Sequence, residues 1–158
     1  MKNQKSFCYE YPRPALTVDL VLITTEERPR VLLIRRRADP FAGCWAFPGG
    51  FVEENEPVEL AARRELREET GVEVRSLSQI GTFADPGRDP RGWTATITFL
   101  GRVEPNAVQP VAADDAAHVA WHFIDDPPPL AFDHADILLR AIQIIRSVEL
   151  KEITGHTA

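Results

Sequence analysis

Cysteine is scarce in this chain: of 158 residues only Cys8 and Cys44 carry thiols, with neither metal-ligand spacing nor a pairing pattern. A disulfide framework is excluded, and free thiols in a reducing cytoplasm are expected. Nowhere do 18 apolar residues run together, so no membrane-spanning helix is expected. The opening segment, MKNQKSFCYEYPRP, lacks the apolar stretch of a secretory signal. Basic charge is in deficit as well. A net charge of −6 and a pI near 5.2 argue against a non-specific nucleic-acid binder, which presents a basic face. No internal repeat or long linker interrupts the chain, and its 44% hydrophobic content suffices for a core. A single domain over residues 1–158 is expected, with 1–14 as an N-terminal arm.

What abounds is carboxylate, and it is concentrated. The stretch GFVEENEPVELAARRELREETGV, residues 50–72, sets Glu53, Glu54, Glu56, Glu65, Glu68 and Glu69 around one expected helix. Such crowding costs free energy unless it is neutralised. Arg63, Arg64 and Arg67 cannot reach every carboxylate, which leaves a divalent cation held through oxygen as the remaining counter-charge. Pro57 suits a first helical position and Gly71 a stop. At about 100° per residue, Glu65, Glu68 and Glu69 share a face beside the apolar edge Val58, Ala62 and Leu66. Arg64 can pair with Glu68 or with Glu56. A solvated charged helix is the ordinary reading of such a run. Here Pro48-Gly49-Gly50 precedes it, a turn able to bend sharply and aim a carbonyl inward as a further ligand.

Strands are expected at 16–24, 31–36, 72–83, 93–103 and 119–124, with a short segment at 44–47. Trp93, Ala95, Ile97 and Phe99 alternate with Thr94, Thr96 and Thr98. Beyond Pro127-Pro128-Pro129, Asp133 is expected to cap a final helix running to about residue 150. The sum is an α/β/α sandwich around a mixed β-sheet. His118 and His122 sit on a strand, about 13 Å apart, too far for one ion, so packing or surface roles are expected. His134, at a helix start, reads as a capping or packing residue.

Asp85-Pro86-Gly87-Arg88-Asp89-Pro90-Arg91-Gly92 joins two strands. Its composition permits a plain rigid turn. Two arginines in a proline-stiffened loop can also meet phosphate or ribose oxygens bidentately. In the arm, Tyr9, Tyr11 and Arg13 can stack an adenine or cap a neighbouring subunit's site, or simply pack on their own domain.

Gly50, Glu56, Arg64-Glu65-Leu66, Glu68-Glu69, Gly71 and Val72 match all nine specified positions of the Nudix box. By this motif the chain resembles the Nudix hydrolases. The resemblance implies the Nudix fold and Mg²⁺- or Mn²⁺-dependent hydrolysis of a nucleoside diphosphate linked to another moiety. Pro86 falls 15 residues after Gly71, near a proline diagnostic of the ADP-ribose pyrophosphatase branch. DPGRDPRG, YPRP (11–14) and LAFDH (130–134) are similar to segments of that branch, whereas Trp93 stands where a smaller, polar or basic residue is expected. The implied reaction converts ADP-ribose to AMP and ribose 5-phosphate. The Gly50 carbonyl, Glu65, Glu68 and Glu69 would hold metal. Glu65 or Glu68 from the helix, or Asp114 or Asp115 from a loop, would take the proton, since the family uses no one fixed position, and Arg64 would orient Glu56 or Glu68. Tyr11, Arg13, Pro86, Arg88 and Arg91 form the expected substrate-binding set. Family members often add a loop carboxylate, for which Asp114 and Asp115 are the candidates, and many are homodimers sharing substrate contacts. The resemblance also leaves His134 a minor substrate role. Two other readings share the motif: hydrolysis of a (d)NTP or nucleotide sugar, and a module that senses ADP-ribose-like ligands. Against sensing stand the intact carboxylates and the short stretch, Lys151 to Ala158, after the final helix.

Overall fold

Strand β1 (Ala15–Thr24) is apolar on both faces, and that property organises everything around it. Residues 8–111 and 118–154 are described, by a computed structural model. Successive side chains on a strand point to opposite faces. Val18, Leu20 and Leu22 therefore join one core with Leu32 and the helix residues Ala61, Ala62 and Leu66. Val21 and Ile23 join another with Val31, Leu33, Ile137, Leu138 and Ala141. Leu20 and Leu22 are fully buried, each contributing about 1.5–3 kcal/mol.

The remaining elements follow in order: β2 (Arg30–Arg35), β3 (Trp45–Ala46), β4 (Gly49–Phe51), α1 (Val58–Thr70), β5 (Ser78–Phe83), β6 (Thr94–Val103), β7 (His118–Phe123) and α2 (His134–Thr154). The strands form one seven-stranded sheet ordered β3-β2-β1-β6-β5, with β4 also on β1 and β7 on β2. It is mixed: β1 and β6 run parallel from Ala15↔Thr94 to Thr24↔Val103, and the other pairs are antiparallel. With α1 on one face and α2 on the other, this is the expected α/β/α sandwich.

Because β6 occupies one edge of β1 throughout, β4 and β2 must share the other. β4 takes Thr17, Val18 and Asp19, while β2 pairs at Ile23. The sheet splits between them, and a cleft opens beside Asp19.

Two sequence expectations are corrected. Residues 72–77 are not strand: Arg63 donates to the Val74 and Arg75 carbonyls, so a side chain serves acceptors that a ladder would use. The threonines of β6 pack inward. Thr94, Thr96 and Thr98 are buried, because both faces of the sheet are covered. Asp133 precedes α2, but its carboxylate is drawn to Arg88; only its carbonyl serves the helix, accepting from the Asp136 and Ile137 N–H groups.

Candidate active site

The glycine turn and α1 form one wall. The Gly49 N–H donates to Glu69 Oε2 at 2.9 Å. A Cβ at Gly50 would stand 2.5 Å from Glu65 Oε1, and one at Gly49 2.1 Å from the Val18 carbonyl oxygen. Backbone bars a side chain at Gly49, and at Gly50 one would displace the Glu65 carboxylate, which is why backbone and carboxylates approach so closely. Burial pushes the Glu69 carboxyl up to about 8; the Gly49 N–H opposes the shift, and neighbouring Glu65 and Asp19 reinforce it. Glu65 is also raised by burial, against the pull of Arg64.

Arg64 binds this wall together from behind. It grips both oxygens of Glu56 at 2.8 and 2.9 Å, reaches Glu65 at 2.8 Å and Glu68 at 3.2 Å, and donates to the Phe51 carbonyl at 3.1 Å. The guanidinium, with the Glu53 N–H, holds the Glu56 carboxyl down at about 2. Gly71, at φ 68°, ends α1 in the left-handed conformation with its N–H on the Arg67 carbonyl.

Opposite lies a buried polar wall. Asp19 accepts from Thr96 Oγ1 at 2.7 Å, lies 3.5 Å from His134 Nε2, and lies 3.7 Å from Arg88. Arg88 is clamped to Asp133 by contacts of 2.8 and 2.6 Å. The buried ring of His134 stacks on Phe47 and accepts the Phe47 N–H on Nδ1 at 3.0 Å. Burial lowers its pKa, so the ring is neutral and keeps that acceptor. Arg91 pairs with buried Asp89, while Arg36 donates to the Pro40 carbonyl at 2.9 Å. Burial, and then the proximity of Arg91, lowers the pKa of Arg36. The two guanidiniums share the Phe132 ring, at 4.9 Å for Arg36 and 5.4 Å for Arg91.

Of the residues singled out from sequence, Gly50, Glu69, Arg88, Arg91 and His134 line this cleft, and Glu65 abuts Gly50. Glu68 points outward to Arg64, with 52% of its side chain exposed. Four residues separate Glu65 and Glu69, placing them about 40° apart, whereas Glu68 falls some 100° from Glu69. Pro86 lines an adjoining pocket. Tyr11 is exposed in the arm, and Arg13 lies over the Tyr9 ring at 4.0 Å. Asp114 and Asp115 fall outside the described residues. His122 packs edge-on against Trp45. Asp19 and Arg36 escaped the sequence reading, and Phe132 entered it only as part of LAFDH. For Asp19 the signal existed: an acid inside the apolar run LTVDLVLI requires buried partners.

Among the described residues no three His, Cys, Asp or Glu side chains are gathered into a ready ion site. Mg²⁺, however, is commonly held by one or two carboxylates, with water and substrate phosphate completing the shell. Glu65 and Glu69, crowded together beside a glycine turn where an added Cβ at Gly50 would meet the Glu65 carboxylate, fit that requirement with hard oxygen donors.

An acidic helix behind a glycine turn, facing arginines across a split in a mixed sheet, defines an α/β/α hydrolase of phosphate compounds. The NUDIX domain model matches residues 13–141, and the chain belongs to that family as a Nudix pyrophosphohydrolase. It is 41% identical to an ADP-ribose pyrophosphatase of Methanocaldococcus jannaschii, over 81% of this chain and 73% of that protein. It is 34% identical to an ADPR responsive transcriptional repressor of Acinetobacter baylyi, over 94% of this chain but 59% of the repressor. Among solved structures, the Nudix domain of Shewanella oneidensis NrtR complexed with ADP ribose superposes with a TM-score of 0.78 at 34% identity, covering 85% of this chain and 90% of that one.

Proposed function

We propose that this chain hydrolyses the pyrophosphate bond of ADP-ribose, giving AMP and ribose 5-phosphate, with Mg²⁺ or Mn²⁺ as cofactor. The observation that carries the reading is the cleft itself, which half-buried Glu69 lines together with Gly50, Arg36 and Arg91. The pyrophosphatase and the ADP-ribose-bound domain among its relatives support that substrate. Glu65, Glu69 and the Gly50 carbonyl would hold the cation. Once bound, the cation offsets diphosphate charge and lowers the pKa of water. Arg36 and Arg91 meet phosphate oxygens as fixed cations. Arg64 keeps Glu65 in place, where it can accept the proton, and ties Glu68 to the outer side of the helix. Asp19 and His134 brace the Phe47–Gly49 turn from the other side. A cytoplasmic homodimer is the assembly we propose.

The likeness to a repressor supports a second reading, an ADP-ribose-sensing module. Purified protein with Mg²⁺ should be offered ADP-ribose, NADH, a nucleotide sugar and dNTPs, and the products separated chromatographically. AMP with ribose 5-phosphate, formed fastest from ADP-ribose, supports hydrolysis. Release of inorganic pyrophosphate from a triphosphate shifts the substrate class, and tight ADP-ribose binding without turnover supports sensing.

A further inference from the structure

Next to the cleft lies a second hollow, lined by Phe41, Phe83, Pro86 and Asp136 and sharing Arg88 and Phe132 with the first. Two phenylalanines at the junction have unusual backbones: Phe41 sits at φ 65° and Phe132 at φ 54°. Bulky residues rarely adopt left-handed conformations, and such strain, of order 1–3 kcal/mol, gathers at ligand clamps. The rings meet edge to face with centroids 4.9 Å apart, and Phe41 remains 38% exposed. Behind Phe132 stand the guanidiniums of Arg36 and Arg91. A cationic pair and an aromatic platform thus share one ring.

We infer that this hollow is the nucleobase subsite, taking the purine of a nucleoside diphosphate derivative against Phe41 and Phe132 while its phosphates reach Arg36 and Arg91. The inference rests on the proposed function for the identity of the substrate and names the part of it that this hollow receives. Asp136 on the rim offers a carboxylate to an exocyclic amino group. The arm containing Tyr9 and Tyr11 is not needed as the platform.

The test is calorimetric titration of the full chain with AMP and, separately, with ribose 5-phosphate, which lacks the base. Stacking of a base on an aromatic side chain is worth about 1–3 kcal/mol, so Phe41→Asn should weaken AMP about tenfold and leave ribose 5-phosphate unchanged. Asparagine tolerates a positive φ, so the ring is removed without forcing the loop, and a thermal melt checks the fold. Phe41→Tyr should restore AMP affinity. Unchanged AMP affinity in both Phe41→Asn and Phe132→Asn overturns the inference, as does an equal loss for both ligands. So does an AMP loss caused by Tyr11→Ala alone. A chain that binds AMP through Phe41 but leaves ADP-ribose intact keeps this subsite and overturns the proposed hydrolysis instead.

Discussion

Glu69 carries opposite demands in one side chain. Its carboxyl titrates near 8 because burial penalises the charge, whereas a free glutamate titrates near 4.3. A raised folded pKa means that the stability it contributes is full below about pH 4 and lost as pH rises through about 8. Glutamine cannot ionise. Glu69→Gln should therefore leave the metal-free protein at least as stable at pH 7, and more stable than the parent above pH 8, in thermal melts. The same variant should lose turnover by about 100-fold or more, consistent with removal of a metal-ligating carboxylate. Near-normal activity would remove Glu69 from the site. Glu56 has the reverse sign. Held down at about 2 by Arg64, it contributes stability that is present above about pH 4.3 and is lost as pH falls through 2. The Tm gap between parent and Glu56→Gln should be open at pH 7 and closed near pH 2. A gap that persists in acid would assign Glu56 a role other than ion pairing.

At the scale of elements, α1 and the glycine turn act as one part. The turn exists because Gly49 and Gly50 have no Cβ, and it matters because α1 brings Glu65 and Glu69 to it. What holds α1 there is Leu66, 1% exposed between Ala62 and the even-numbered residues of β1. Leu66→Ala should cost about 2–5 kcal/mol in urea unfolding, with an unchanged m-value. A cost below 1 kcal/mol would mean that the helix is seated by other contacts. This part was legible in the sequence. Spacing placed the helix, Gly71 ended it, and Arg64 was matched to Glu56 and Glu68. The face was drawn too wide, because Glu68 lies at the edge of the arc and turns out to solvent.

Across the whole molecule, the site is closed by elements distant in sequence. Arg88 and Asp133 are 45 residues apart, yet they clamp the Pro86 loop to the start of α2. The Arg88 side chain is only 5% exposed. Removing one partner of a buried pair strands the other charge, at about 3–5 kcal/mol. Asp133→Leu or Arg88→Met alone should approach that loss, while the two combined should cost markedly less than their sum. Chemical denaturation of the four members of the cycle checks it, and simple additivity of the two losses would show the pair to be uncoupled.

By itself the sequence determined the acidic helix, its glycine turn, most strand positions and the two-sided sheet, because these follow from periodicity, breakers and residues close along the chain. The Nudix box lies within 23 consecutive residues, so a linear reading captures it. Only the tertiary structure decided the opposing wall. Nothing local in Asp19, Arg36, Phe132 or His134 announces that they meet; they do so because β2 and β4 divide one edge of β1 and α2 returns across the opening. The role of Asp133 changed for the same reason. A capping preference is weak, and a buried guanidinium needing a partner overrides it.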